Sequence, residues 1–169
     1  MSREITCCFT GHRPEKLPWG TQENDPRCAA LKRWLDRVVL EAYQDGCRHF
    51  LCGMARGSDL YFCEAVLSLR RLYPEVRLEA AVPCRTQADN WPAEERERYR
   101  SLLGQCDLTT LIQENYTAGC MMRRNRYMVE RSSRMIAVYD GLPGGTRSTL
   151  AYALRQGLTL IQASPAYFS

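Results

Sequence analysis

The chain has 169 residues, 45% of them hydrophobic and 25% charged, and 23 Lys and Arg against 19 Asp and Glu leave a net charge of +4. These figures suit one domain with a core of its own and exclude an intrinsically disordered chain. No apolar run approaches the ~20 residues of a membrane-spanning helix, and the N-terminal stretch lacks a signal peptide's apolar core, so a cytoplasmic protein without a membrane partner is expected.

In chain order, "EITCCFTG" (4–11) reads as a buried strand. Residues 25–46 read as a helix, with Asp25 as its cap, Pro26 in its first turn and Gly46 at its end. Its apolar stripe is Leu31, Trp34, Leu35, Val38 and Ala42. A second strand is expected over 49–53, a helix over 59–72 with Leu60, Cys63, Val66 and Leu67 inward, and a third strand over 76–82. Pro92 opens the next helix within 90–107, where Glu94 and Arg98 have the spacing of an i,i+4 pair. A fourth strand (108–112), a helix (119–132), a fifth strand (134–140), a helix (146–156) ending at Gly157, and a sixth strand (158–162) complete the pattern.

Strand–helix alternation throughout predicts an α/β fold: a single Rossmann-like three-layer domain over 1–169, with a mostly parallel sheet flanked by helices. The nine cysteines are odd in number, form no CxxC and scatter through strand-like and helix-like runs, and there are only two histidines. They read as small buried hydrophobes, with no metal site expected.

In such a fold all strand C-termini lie on one edge of the sheet, where ligands bind. The unusual residues fall at those ends. "TGHRP" (10–14) offers Thr10 as a hydroxyl, Gly11 for close backbone approach and Arg13 as a phosphate fork; His12 is either a structural hydrogen-bonder or an acid–base group. "GMARGSD" (53–59) places Gly53 and Gly57 before a helix N-terminus, where an anion is favoured. There Ser58 and Asp59 are either helix caps or ligand contacts, Asp59 as an acceptor for a ribose hydroxyl. "GGTRST" (144–149) combines Gly144 and Gly145 with the hydroxyls of Thr146, Ser148 and Thr149 and with Arg147, more than helix capping requires. "MMRRNRYMVERSSR" (121–134) reads as an amphipathic helix with Met122, Tyr127 and Met128 inward and its arginines in water. Two sharper readings send Arg124 and Asn125 to the ligand rim or make the arginines a nucleic-acid patch. Trp91 reads as packing, with base stacking as the other reading.

With these motifs in their order, the chain resembles the YpsA-like proteins of the SLOG superfamily. This is a Rossmann-like group that also holds the DNA-processing protein DprA and the Lonely Guy phosphoribohydrolases. "TGHRP", "GMARGSD", a Trp followed by "ERERYR", "RRNRYMVERS" and "GGTRST" carry the resemblance over essentially the full length. It implies a nucleotide-derived ligand, such as ADP-ribose, NAD or a nucleoside phosphate, held between the loops at 53–59 and 144–149. No cofactor is expected to be required; relatives in the superfamily often self-associate, which suggests a homodimer, although no exposed apolar helix face demands one.

One departure bears on catalysis. The Lonely Guy enzymes carry PGGxGTxxE, whose glutamate serves N-glycosidic hydrolysis. Here Pro143, Gly144 and Gly145 match, but Arg147 replaces the next glycine, Ser148 the threonine and Ala151 the glutamate. The expected function is therefore binding or sensing of a nucleotide-derived small molecule. The alternatives are a nucleotide-processing hydrolase with a relocated acid or base (Asp59, Glu64 or His12, with Asp140 as a further carboxylate) and a single-stranded nucleic-acid binder.

Overall fold

Asp25 sets the first helix: its carboxylate accepts the Arg27 N–H at 2.8 Å, and Pro26 occupies the first helical position, where no N–H is needed. This and every other element comes from a computed structural model that describes residues 1–168. The helices are α1 (Pro26–Gln44), α2 (Ser58–Leu72), α3 (Ala93–Gln105), α4 (Cys120–Glu130) and α5 (Gly145–Arg155). The strands are β1 (Thr6–Gly11), β2 (His49–Cys52), β3 (Arg77–Val82), β4 (Leu108–Leu111), β5 (Arg134–Val138) and β6 (Thr159–Ala163).

The six strands form one sheet in the order β4-β3-β2-β1-β5-β6, and every neighbouring pair is parallel. A helix separates each strand from the next, so the sheet is wholly parallel rather than mostly so. After β4 the chain crosses to the other side of β1. As a result α1, α2 and α3 cover one face of the sheet, and α4 and α5 the other. The strands divide their side chains accordingly. Cys7, Phe9, Phe50, Cys52, Ile136 and Val138 pack under α1–α3, while Cys8, Leu51, Met135 and Ala137 meet Met128, Val129, Leu150 and Ala153 of α4 and α5.

All nine cysteines are free and eight are buried, in keeping with their reading as small core hydrophobes. Among the described residues, no helix is long and apolar enough to cross a membrane. One pairing differs from expectation. Arg98 does not pair with Glu94; its guanidinium bridges Glu23, ahead of α1, and Glu64 of α2, each at 2.5 Å. A forked, half-buried clamp across three segments outweighs an exposed pair within one helix, which is worth only ~0.3–0.5 kcal/mol.

Candidate functional site

The strand order reverses between β1 and β5, and a cleft of about 270 Å³ opens at their C-terminal ends. An open parallel sheet binds its ligands at such a switch point because the two flanking loops leave for opposite faces.

Three glycines near this edge serve the protein's own packing. At Gly11 an added Cβ would strike the Ser58 hydroxyl and the Phe9 ring. Gly57 has φ +84°, and its Cβ would stand 2.9 Å from the His12 carbonyl oxygen. A Cβ on Gly53 would lie 2.6 Å from the Arg124 guanidinium. Both the N–H and the hydroxyl of Ser58 donate to the His12 carbonyl, at 3.2 and 2.8 Å, locking the β1 loop onto the start of α2. Ser58 therefore neither caps α2 nor lines the cleft; the cap position belongs to Gly57. Gly11 does line the cleft, whereas Gly53 and Gly57 stand behind its wall.

Asp59 and Arg124 reach the cleft from opposite faces of the sheet. Asp59, buried in the first turn of α2, accepts the Ala55 N–H on Oδ2 at 3.0 Å. Burial pushes its carboxyl above the ordinary value, against the pull of the Arg124 and Arg13 charges. Arg124 of α4 is 3% exposed and donates to the Gly53 backbone carbonyl through Nη1 and to the Asn125 side-chain Oδ1 through Nε at 2.7 Å. Asn125 in turn donates to Thr149 Oγ1 at 2.9 Å, which fixes the fork across α4 and α5. Among the described residues, Arg124 Nη2 finds only the Met121 sulfur, at 3.8 Å. The two buried charges share one cavity without forming an ion pair.

The opposite lip is the start of α5. Gly144 takes φ +153°, and Lys16 Nζ, which donates to the Pro143 carbonyl at 3.4 Å, occupies the space a side chain there would fill. Among the described residues, no side chain caps α5. The first intrahelical bond runs from Ser148 N–H to the Gly144 carbonyl, so the N–H groups of Gly145, Thr146 and Arg147 have no acceptor among the described residues. His12, buried behind this turn, accepts the Asp140 N–H on Nε2 at 2.9 Å. Nε2 also stands 3.0 Å from the Asp140 carboxylate, and Nδ1 lies 3.3 Å from Thr146 Oγ1. Burial lowers the imidazole's pKa, with the nearby Asp140 carboxylate opposing.

Of the residues singled out in the sequence, Thr10, Gly11, His12, Arg13, Asp59, Gly145 and Thr146 line this cleft, and so do Arg124 and Asn125. Arg147 and Ser148 do not: the phase of α5 turns both into solvent, while Thr149 is buried against Gly145 and Asn125. Glu64 faces away, held by Arg98. Lys16 and Glu15, which no motif above singles out, also line the cleft: both stand directly after "TGHRP" in a short turn, Pro14–Lys16, that carries them to the rim.

The model of the YspA SLOG family matches residues 7–157. A UPF0398 protein of Bacillus cereus (strain B4264) is 28% identical over 152 residues, spanning 88% of this chain and 82% of that protein. The SPbeta prophage-derived protein YoqJ of Bacillus subtilis (strain 168) is 30% identical over 142 residues, 76% of this chain and 83% of that protein. Among solved structures, DNA processing protein A from Helicobacter pylori, described for its single-stranded DNA binding mode, superposes with a TM-score of 0.65. It is 18% identical, and the match covers 94% of this chain but 64% of that one. At that identity the likeness is one of fold.

Proposed function

The chain belongs to the YspA SLOG family, and from that premise we propose that it binds a nucleotide-derived small molecule at the switch-point cleft. One observation carries the reading: a buried guanidinium and a buried carboxylate, Arg124 and Asp59, face one cavity unpaired, beside an uncapped helix N-terminus. Leaving two such charges apart is costly unless a ligand with both donors and acceptors completes them. A phosphate suits the free N–H groups of α5 and the Lys16 ammonium, and a ribose hydroxyl suits Asp59.

The test is a thermal-shift panel of NAD, ADP-ribose, AMP, ATP, cyclic nucleotides and a short single-stranded DNA. A ligand at 100 times its Kd adds ~2.7 kcal/mol, a rise of about 5–10 °C for a chain of this size. A flat response to every small molecule would overturn the reading. Of the carboxylates weighed for hydrolysis, Asp59 alone lines the cleft. Free base released by the wild type and not by Asp59→Asn would add catalysis to binding.

A second reading has its own observation. Arg126, Arg131, Arg147 and Arg155 lie on the α4–α5 side without carboxylate partners among the described residues, and three of them stack over Tyr127 or Tyr152. Cations interleaved with aromatic rings suit single-stranded nucleic acid. A DNA shift that collapses with salt, without a nucleotide shift, would favour that surface.

A further inference from the structure

The cleft does not end at Arg13. A second hollow of about 210 Å³ adjoins it, and Arg13, Glu15 and Met121 line both. Its far wall comes from the segment between β3 and α3, through Gln87 and Trp91. Alone, neither space reaches the ~300–1,000 Å³ usual for a small-molecule site; taken together across the three residues they share, they do.

Trp91 is half-buried. Tyr99, itself buried, meets the indole in a T-shaped contact, with centroids 5.2 Å apart and planes at 76°, so the ring is held from within the fold. Gln87 is only loosely engaged. Its Nε2 donates to the Gly53 carbonyl at 3.4 Å, and its Oε1 accepts from Arg124 Nη1 at 3.5 Å, both at the outer limit of hydrogen bonding. Arg56 on the same wall bridges Glu15 at 3.2 Å and Glu95 at 2.8 Å through its terminal nitrogens, while its buried Nε has no partner among the described residues. What the wall offers a ligand is an aromatic surface, a thioether and the loosely held Gln87 amide, with the Arg13 guanidinium and the Arg56 Nε beside them.

We infer that this hollow is the base subsite of the nucleotide cleft, in which a planar heterocycle stacks on Trp91 while Gln87 pairs with its edge. Adenine is the base expected, because its adjacent donor and acceptor match a single side-chain amide. The inference rests on the nucleotide reading above and gives the ligand a direction. The phosphate lies at Lys16 and the start of α5, the sugar near Asp59 and Arg124, and the base beyond Arg13.

Calorimetric titration with AMP, GMP and ribose 5-phosphate tests it. Stacking should make AMP bind about ten-fold or more tighter than ribose 5-phosphate. Trp91→Leu should bring AMP down to the ribose 5-phosphate level and leave ribose 5-phosphate itself unchanged. Trp91→Phe should retain most of the AMP affinity while losing the tryptophan quenching that AMP produces in the wild type. Gln87→Ala should erase the preference for AMP over GMP. Equal binding of AMP and ribose 5-phosphate by the wild type would remove the base subsite and leave the cleft reading standing. So would a parallel loss of both ligands in a folded Trp91→Leu. No binding of any of the three would remove both.

Discussion

Arg124 and Asp59 sit buried on helices from opposite faces of the sheet, look into one cavity and do not pair. Each carries the cost of burial, and the two charges answer each other only across the cleft.

That arrangement separates binding from stability. Asp59→Asn keeps an oxygen for the Ala55 N–H and removes a poorly compensated buried charge. Its Tm is expected to hold or rise by a few degrees while nucleotide affinity falls about ten-fold or more, the pattern of a site residue that stability alone would not keep. Arg124→Met should lose both, at about 3 kcal/mol in stability, since it strips the Gly53 carbonyl and Asn125 of their donor and leaves Asp59 only the Ala55 N–H and the Arg13 charge. Paired melting and titration of the two variants checks this, and equal destabilisation by both would contradict it.

The start of α5 gives a sharper contrast within three residues. Gly145 lies on the cleft with open space where its Cβ would be, whereas Arg147 is exposed and away from it. Gly145→Asp should therefore fold normally and lose phosphate-bearing ligands by ten-fold or more, through charge repulsion at the free N–H groups. Arg147→Glu should leave affinity within about two-fold, as expected of an exposed charge screened by solvent. Titration of both with the same nucleotide decides whether the helix terminus or the arginine makes the anion contact.

Much of this was legible beforehand, for physical reasons that can be named. Asp25, Pro26 and the Leu31–Ala42 stripe define α1 locally, so α1 could be read from one segment. Glycine spacing was less transparent. Gly53 and Gly57 look like a phosphate loop, yet they make room for Arg124 and the His12 carbonyl, contacts from residues tens of positions away. Helical periodicity sends arginines to water, so it could not by itself mark Arg124 as buried. That follows only once the β2 carbonyl end and α4 are packed together. Arg98 chose distant Glu23 and Glu64 over Glu94 for the same reason: tertiary geometry outbids local spacing.

A second buried network lies away from the cleft. Glu79 of β3 bonds His49 at 2.8 Å, Thr110 at 2.7 Å and Tyr127 at 2.6 Å. Burial pushes its carboxyl up, but these three donors prevail and hold it at about 2, well below the ordinary 4.5. The stability this supplies is fully present above pH 4.5 and is lost as pH falls toward 2. Glu79→Gln is expected to cost about 3 kcal/mol at neutral pH and to flatten the acid limb of the stability profile. Urea unfolding from pH 7 to 3 reads both, and an unchanged acid limb would reassign the acid sensitivity to other carboxylates.

His12 produces a pH dependence of opposite chemical origin in a different window. Desolvation lowers its pKa in the folded protein, with Lys16 adding to the effect and Asp140 opposing it. In the unfolded chain the imidazole titrates near its ordinary value of about 6.5. Just below that value the unfolded chain takes up a proton that the folded chain refuses, so stability is highest above pH 6.5 and declines as pH is lowered to the folded value. Protonation also withdraws the Nε2 lone pair that accepts the Asp140 N–H and turns that nitrogen toward the Asp140 carboxylate, 3.0 Å away. The turn leading into α5 should loosen in the same range, and nucleotide affinity should weaken with stability. His12→Gln keeps a hydrogen-bonding side chain and has no proton to take up. It is expected to remove the slope just below pH 6.5 in both unfolding and titration, while leaving the acid limb set by Glu79 in place. A slope that survives the substitution would place the titrating group elsewhere.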